Sequence, residues 1–144
     1  MPQTQDFKSH GRIVPMYHMG VFFPFALNFL WSGYRLTQGL TGDAIMAFVM
    51  AIALLLLFVS VRVQILTVQD RVIRLEMRLR LAQVVPPDLR TEIATLTVPQ
   101  LVALRFASDA ELPELTRDVL AGKLATQKEI KMRVKNWVGD YQRA

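Results

Sequence analysis

The segment AIMAFVMAIALLLLFVSV, residues 44–61, decides the fold of this chain. Its eighteen residues include no charged side chain, and Ser60 is the only polar residue among them. As an α-helix the segment covers nearly the ~30 Å thickness of the hydrocarbon layer of a membrane, where each unpaired backbone group would cost several kcal/mol. The sequence therefore predicts a transmembrane helix here, and the other segments are interpreted around it.

A second apolar segment, residues 16–35, has no Asp, Glu, Lys or Arg before its last residue. Five aromatic side chains raise its hydrophobicity, whereas Pro24 and Asn28 lower it. The connection at 36–43 contains two glycines, which favour a tight turn. The sequence thus predicts an all-α membrane protein with a two-helix transmembrane hairpin.

The second transmembrane helix is predicted to continue beyond the membrane. No Gly or Pro occurs between residue 44 and Pro86, so one helix over 44–84 would be about 60 Å long at ~1.5 Å per residue. Pro86 and Pro87 end this helix, because neither can donate a backbone hydrogen bond. The predicted order is a cytoplasmic N-terminal segment (1–15), transmembrane helix 1 (16–35), a periplasmic turn (36–43), the long helix (44–84) and a small cytoplasmic helical domain (85–144).

Three hydroxyl residues, each followed three positions later by Gln or Glu, indicate helix starts in the C-terminal domain. The pairs are Thr97 with Gln100, Ser108 with Glu111, and Thr126 with Glu129. We predict helices at 88–96, 98–107, 112–121 and 127–138. A domain of about sixty residues is marginally stable alone, so we expect it to dock on the long helix or on a partner.

Positive charge is concentrated next to the second apolar segment. Residues 62–83 carry five Arg against two acidic residues, whereas residues 84–144 carry nine basic and eight acidic residues. Anionic lipid explains this distribution better than nucleic acid, because each Arg near the membrane surface contributes roughly 1 kcal/mol to binding of anionic lipid. The residues assigned to lipid headgroups are Arg62, Arg71, Arg74 and Arg78.

Orientation follows from the basic residues that flank the two apolar segments. Seven of them precede the first segment or follow the second, and only Arg35 lies in the connection. The positive-inside rule therefore predicts both termini in the cytoplasm, with the chain in the cytoplasmic (inner) membrane.

The sequence predicts no enzyme. The chain has no Cys and only two His, and no nucleophile, metal constellation or phosphate-binding loop occurs at a recognisable spacing. We therefore predict no metal site and no required cofactor. His18, which is nearer to the apolar segment than His10, is the one candidate ligand for a haem or pigment.

Several residues are candidates for partner contacts. The stripe formed by Ile65, Val68, Val72 and Leu75 either packs on the chain's own C-terminal helices or meets another subunit. In the first helix, Asn28 and Trp31 suit contact with a neighbouring helix. Trp137 and Tyr141 form either core of the C-terminal domain or a docking patch.

Both ends of the chain resemble a known family. PQTQDFKSHGRIVPMYH (residues 2–18) contains the pattern Pro-Gln, His, Arg, Pro-x-Tyr-His, and residues 101–144 end with Ile-Lys, Lys-Asn-Trp and Asp-Tyr-x-Arg. These patterns are similar to those of a family of small, uncharacterised two-span bacterial membrane proteins. The resemblance implies a domain of unknown function and transfers no activity or cofactor.

Three functional hypotheses remain from the sequence. The first is a non-catalytic accessory or structural subunit that stabilises or assembles a larger bacterial membrane complex, such as a respiratory or photosynthetic one. The second is a self-associating membrane scaffold or signalling adaptor, which would form a homo-oligomer. The third is a subunit that binds pigment or haem through His18.

Overall fold

The computed structural model describes residues 14–141, and it confirms that the chain is all-helical. Within these residues no β-strand forms, and Ala107 and Trp137 make an isolated antiparallel bridge. The described residues divide into two units, 14–66 and 67–141.

The first unit contains a π-helical segment (Met16–Val21), helix α1 (Phe22–Gln38) and the first part of helix α2 (Gly42–Val84). The backbone N–H of Phe22 donates to the carbonyl of Tyr17, five residues earlier, which is the π-helical pattern. Pro24 lies in the first turn of α1. The proline has no N–H to donate to the π-helical segment before it, and α1 continues past it as an α-helix.

Helix α2 is long and apolar enough to cross a membrane. It has 43 residues, and only 11% of its most apolar eighteen-residue window is buried, so it does not resemble the core helix of a soluble protein. Helix α1 has 17 residues by itself, fewer than the ~20 of a typical span, and the predicted span at 16–35 includes the π-helical segment before it.

Helix α1 lies antiparallel to the first part of α2, and aromatic side chains join the two. The Tyr17 hydroxyl donates to the carbonyl of Phe58 at 2.7 Å, and the two rings stack with centroids 4.2 Å apart. Farther along, the rings of Phe29 and Phe48 lie 5.2 Å apart. A Cβ atom added at Gly33 would come within 3.4 Å of the Phe48 ring, so glycine permits this close approach.

The second unit packs short helices on the last part of α2. They are α3 (Pro87–Arg90), a 3-10 turn (Ile93–Thr95), α4 (Val98–Leu104), α5 (Leu112–Leu120) and α6 (Gln127–Arg133). Their apolar side chains form one core with α2. Its members include Ile73, Met77, Leu81, Val85, Leu101, Leu104, Leu112, Leu115, Val119 and Ile130.

Two of the three predicted capping boxes are confirmed. Thr97 with Gln100 begins α4, and Thr126 with Glu129 begins α6, with both reciprocal hydrogen bonds present in each. The middle box is wrong as a helix cap. The hydroxyl of Ser108 donates to the Glu111 carboxylate at 3.0 Å, but α5, which begins at Leu112 as predicted, has no side-chain cap.

The predicted extent of the last helix, 127–138, is also wrong, because α6 ends at Arg133. The chain becomes extended at Val134, and the N–H of Val138 donates to the carbonyl of Phe106 at 2.8 Å. The Glu111 carboxylate accepts hydrogen bonds from two backbone N–H groups that follow Val134, those of Lys135 at 2.8 Å and Asn136 at 2.7 Å. These long-range hydrogen bonds replace the helical bonds that the local pattern predicts.

The Glu111 carboxylate has a pKa below its ordinary value of 4.5. Burial opposes ionisation of this group, but the hydrogen bonds from Lys135, Asn136 and Ser108 favour the charged form and together outweigh burial. Since the pKa is lower in the folded state, this contribution to stability is complete above pH ~4.5 and is lost as the pH falls through the folded-state pKa.

We expect Glu111→Gln to lower the free energy of unfolding of the second unit by about 1–2 kcal/mol at neutral pH, because a neutral amide is a weaker acceptor for two N–H groups. The same substitution should flatten the loss of stability on acidification. Urea titrations followed by Trp137 emission, in a Trp31→Phe background in mild detergent, measure both effects. Glu114→Gln, at an exposed position of α5, is the matched control; equal losses in the two variants would contradict the assignment.

Candidate docking surface on the second helix

The part of α2 within the second unit has two apolar faces in different environments. Ile73, Met77 and Leu81 are 5%, 3% and 0% exposed, because α4, α5 and α6 cover them. A second row remains uncovered, and we call it the exposed stripe: Val68, Val72, Leu75 and Leu79 are 60%, 49%, 64% and 61% exposed. Their spacing of four, three and four residues places them on one side of the helix.

This arrangement excludes one of the two interpretations of the stripe that the sequence allows. The chain's own C-terminal helices pack on the face that carries Ile73 and Met77, so the prediction that they cover the stripe is wrong. Ile65, which belongs to the first unit, is 41% exposed. The interpretation that another molecule contacts these residues stays a prediction.

Arginines line the exposed stripe. Val68, Val72 and Leu75 share a groove of about 500 Å³ with Arg71, Arg74 and Arg78, and no acidic side chain from residues 14–141 lines it. Arg71 and Arg74 are exposed and form no ion pair with residues 14–141. The groove is therefore an apolar strip with uncompensated positive charge beside it.

The remaining arginines of this region make specific contacts. The Arg78 guanidinium donates to the carbonyl of Ala94 at 3.1 Å, which connects α2 to the 3-10 turn. The Arg62 guanidinium lies over the Tyr17 ring, 5.8 Å from its centroid. The sequence assigns four arginines to lipid headgroups. Two of them, Arg71 and Arg74, make no hydrogen bond, ion pair or ring contact with another described residue through their side chains.

Arg80 is a structural residue that the sequence did not reveal. Its guanidinium donates to the Asp109 carboxylate at 2.7 Å and to the carbonyls of Arg105 and Ala107 at 3.1 and 2.8 Å. It therefore fixes the connection between α4 and α5 against α2. Its partners are 25 to 29 residues away, and no local spacing predicts such a contact.

His18, the candidate ligand, lies half-buried in the π-helical segment. Its Nδ1 atom is 3.0 Å from the carbonyl oxygen and 3.2 Å from the backbone nitrogen of Val14. A Nδ1–H bond to that carbonyl would leave Nε2 as the ring atom with a lone pair for a ligand. In residues 14–141, no group of three His, Asp or Glu side chains is placed to hold a metal ion.

The other predicted contact residues lie in different environments. Asn28 and Trp31 are exposed on α1, and the Trp31 ring is 5.8 Å from that of Tyr34. Trp137 is half-buried, and its ring lies 4.7 Å from the ring of Phe106 in the core. Tyr141 is 57% exposed.

A second cleft, of about 430 Å³, lies between α2 and the end of the described chain. Two arginines that line this cleft form ion pairs with acidic side chains. Arg80 pairs with Asp109, and the Arg105 guanidinium lies 3.5 Å from the Asp140 carboxylate. These contacts give its arginines a structural role, and the exposed stripe is the stronger candidate site.

Comparison with known proteins gives a family and no closer relative. The model of a family described as "Family of unknown function (DUF6526)" matches residues 1–144. No curated protein matches the chain, and neither does any solved structure.

The two faces of α2 differ in what a leucine contributes to folding. Leu81→Ala should lower the free energy of unfolding of the second unit by about 2–5 kcal/mol, because it opens a cavity in the core. Leu75→Ala, in the same helix, should change it by less than about 0.5 kcal/mol, because Leu75 is 64% exposed. The urea titration by Trp137 emission measures both, and a large cost for Leu75→Ala in the isolated protein would show that the stripe is already covered.

Proposed function

Because the chain belongs to the family of unknown function DUF6526, we propose a function from its own residues: a non-catalytic accessory subunit that stabilises or assembles a larger bacterial membrane complex. A respiratory or photosynthetic assembly is the kind of host that we expect. The observation that carries the proposal is the exposed stripe, an apolar row that the chain's own helices leave uncovered. Exposed apolar surface of this kind is typical of interaction sites.

The first unit supports membrane insertion of both helices as a hairpin. Its buried positions hold small residues, namely Ser32, Ala44 and Ala51, at 2%, 2% and 0% exposure. Its exposed positions hold large apolar residues, such as Leu27 and Leu30, at 68% and 67%. Small residues at the helix contact and large apolar residues outside are typical of helices packed in lipid.

In the proposed orientation the connection at 39–41 lies in the periplasm and the second unit lies in the cytoplasm, and the arginine distribution supports this orientation. The chain lacks cysteine, so single cysteines report on each side. In sealed inner-membrane vesicles with the cytoplasmic face outward, Gln3→Cys and Ala125→Cys should react with an impermeant maleimide, whereas Leu40→Cys should react only after permeabilisation. Labelling of Gln3→Cys and Leu40→Cys from the same side would contradict the hairpin.

The assembly role is tested by purification from native membranes in mild detergent, with the intact mass and the absorption spectrum taken on one fraction. The wild-type chain should co-elute with a large assembly. Val72→Glu combined with Leu75→Glu should remove it from that assembly while it stays in the membrane, because buried charges at a docking site are costly. Met132→Glu, at a residue of α6 that is 60% exposed, is the matched control. Elution of the wild-type chain alone would contradict the proposal.

The second candidate function is binding of haem or pigment through His18. What supports it is the Nδ1 contact with the Val14 carbonyl: in the tautomer that donates Nδ1–H to this oxygen, Nε2 keeps a lone pair for a ligand. The same purified fraction tests it, since a bound haem or pigment gives a visible absorption band that His18→Phe would remove. A colourless fraction that keeps its partners would contradict this candidate.

A self-associating scaffold is the third possibility from the sequence, and the spacing of the stripe is compatible with it. The arginines of the groove argue against an antiparallel pair of copies, which would bring like charges together, and in a parallel pair only Arg71 would meet an acidic residue, Glu76. A homo-oligomer that dissociates in the Val72→Glu and Leu75→Glu variant would favour the scaffold over the accessory subunit.

A further inference from the structure

We propose that the exposed stripe binds an acidic amphipathic helix of another protein. The partner helix would place apolar residues on Val68, Val72 and Leu75 and Asp or Glu side chains against Arg71 and Arg74. This inference rests on the proposed function and specifies the chemistry of the partner that the accessory subunit contacts.

The apolar part of the surface fits a helix. The four residues of the stripe follow a spacing of four, three and four, which is that of a helix seam. Val68, Val72 and Leu75 border a groove of about 500 Å³. A helix that docks in a groove uses apolar anchors at the same spacing. Since Ile73, Met77 and Leu81 already fill the core on their own face, the stripe is free for such a contact.

The charges specify the sign of the partner. Of the described residues, three arginines and no acidic side chain line the groove. Arg71 and Arg74 form no ion pair within the described residues, so a partner carboxylate would meet uncompensated guanidinium groups. Arginine binds carboxylates through two parallel hydrogen bonds, which fixes the partner's register as well as its charge.

The other two occupants fit these observations less well. An antiparallel second copy would set the arginines of the groove against one another, and like charges across an interface are unfavourable. A parallel second copy would bring Glu76 to Arg71 but Gln83 to Arg78, and it would offer no carboxylate to Arg74. Anionic lipid would satisfy the arginines, but Leu75 and Leu79 follow the end of the apolar segment by 14 and 18 residues, which is ~20 and ~27 Å along α2 at about 1.5 Å per residue. A lipid surface at the end of that segment would not cover them. Both alternatives are outcomes of the experiments below.

The first experiment identifies the occupant in native membranes. A photoreactive benzoylphenylalanine replaces Leu75, and the adduct is mapped by mass spectrometry. We expect an adduct on an amphipathic helix of another protein that carries Asp or Glu beside its apolar row. An adduct with lipid, an adduct with a second copy, or the absence of any adduct would overturn the inference.

The second experiment tests the role of charge. Arg71→Glu combined with Arg74→Glu should reduce the adduct and the recovery of the assembly about tenfold or more, because the charges would repel an acidic partner. Lys128→Glu, a charge reversal at an exposed position of α6, should leave both unchanged. If the wild-type chain elutes with an assembly that the double variant also retains, this inference fails and the proposed function stands. If the wild-type chain elutes alone, both fail.

The third experiment uses a defined probe with the purified full-length chain in phosphatidylcholine nanodiscs. The probe is a synthetic helix with Leu spaced four, three and four residues apart and Glu on both sides of this row. It should bind at least about tenfold more tightly than a matched peptide with Lys in place of Glu, and added salt should reduce the difference. Equal binding of the two peptides would overturn the inference.

Discussion

The hydrogen-bonding requirement of a backbone in hydrocarbon is the constraint on which the rest of the structure depends. Residues 44–61 belong to a helix that is long and apolar enough to cross a membrane, and a single segment of backbone in lipid satisfies its N–H and C=O groups only as a helix. That helix has no Gly or Pro before Pro86, and it continues as α2 to Val84. Both units are thus organised on one helix, α1 against its first part and the short helices against its last part.

The two units pack on α2 through different kinds of side chain. In the first unit the contact uses small residues and glycine, together with stacked aromatic rings such as Tyr17 on Phe58. In the second unit the contact is a core of Leu, Ile and Met, and Arg80 fixes the connection between α4 and α5 to α2. This difference agrees with the proposed location of the first unit in lipid and of the second in water, because lipid gives no hydrophobic drive between helices whereas water does. In the second unit an apolar stripe nevertheless faces outward, and this contrast makes it the candidate site.

Local signals predicted most of the helical elements. The long helix follows from hydrophobicity and from the absence of helix breakers, and the caps at Thr97 and Thr126 follow from reciprocal hydrogen bonds three residues apart. Local signals could not predict the end of α6, because Glu111 lies 24 and 25 residues from the two backbone N–H groups whose hydrogen bonds it accepts. Sequence periodicity also identified the stripe but not its environment, since only the fold shows that the core uses the face of Ile73 and Met77.

The central claim is that a protein partner covers the exposed stripe in the native membrane. Single cysteines at residues 68, 72, 75 and 79 can be labelled with a soluble maleimide, both in native membranes and after the purified chain is returned to liposomes of native lipid. The account predicts slow labelling in native membranes and fast labelling in the liposomes at these four positions, with little difference at exposed Glu76 on another side of α2. Equal labelling rates in the two preparations would show that no protein covers the stripe, and would contradict the account.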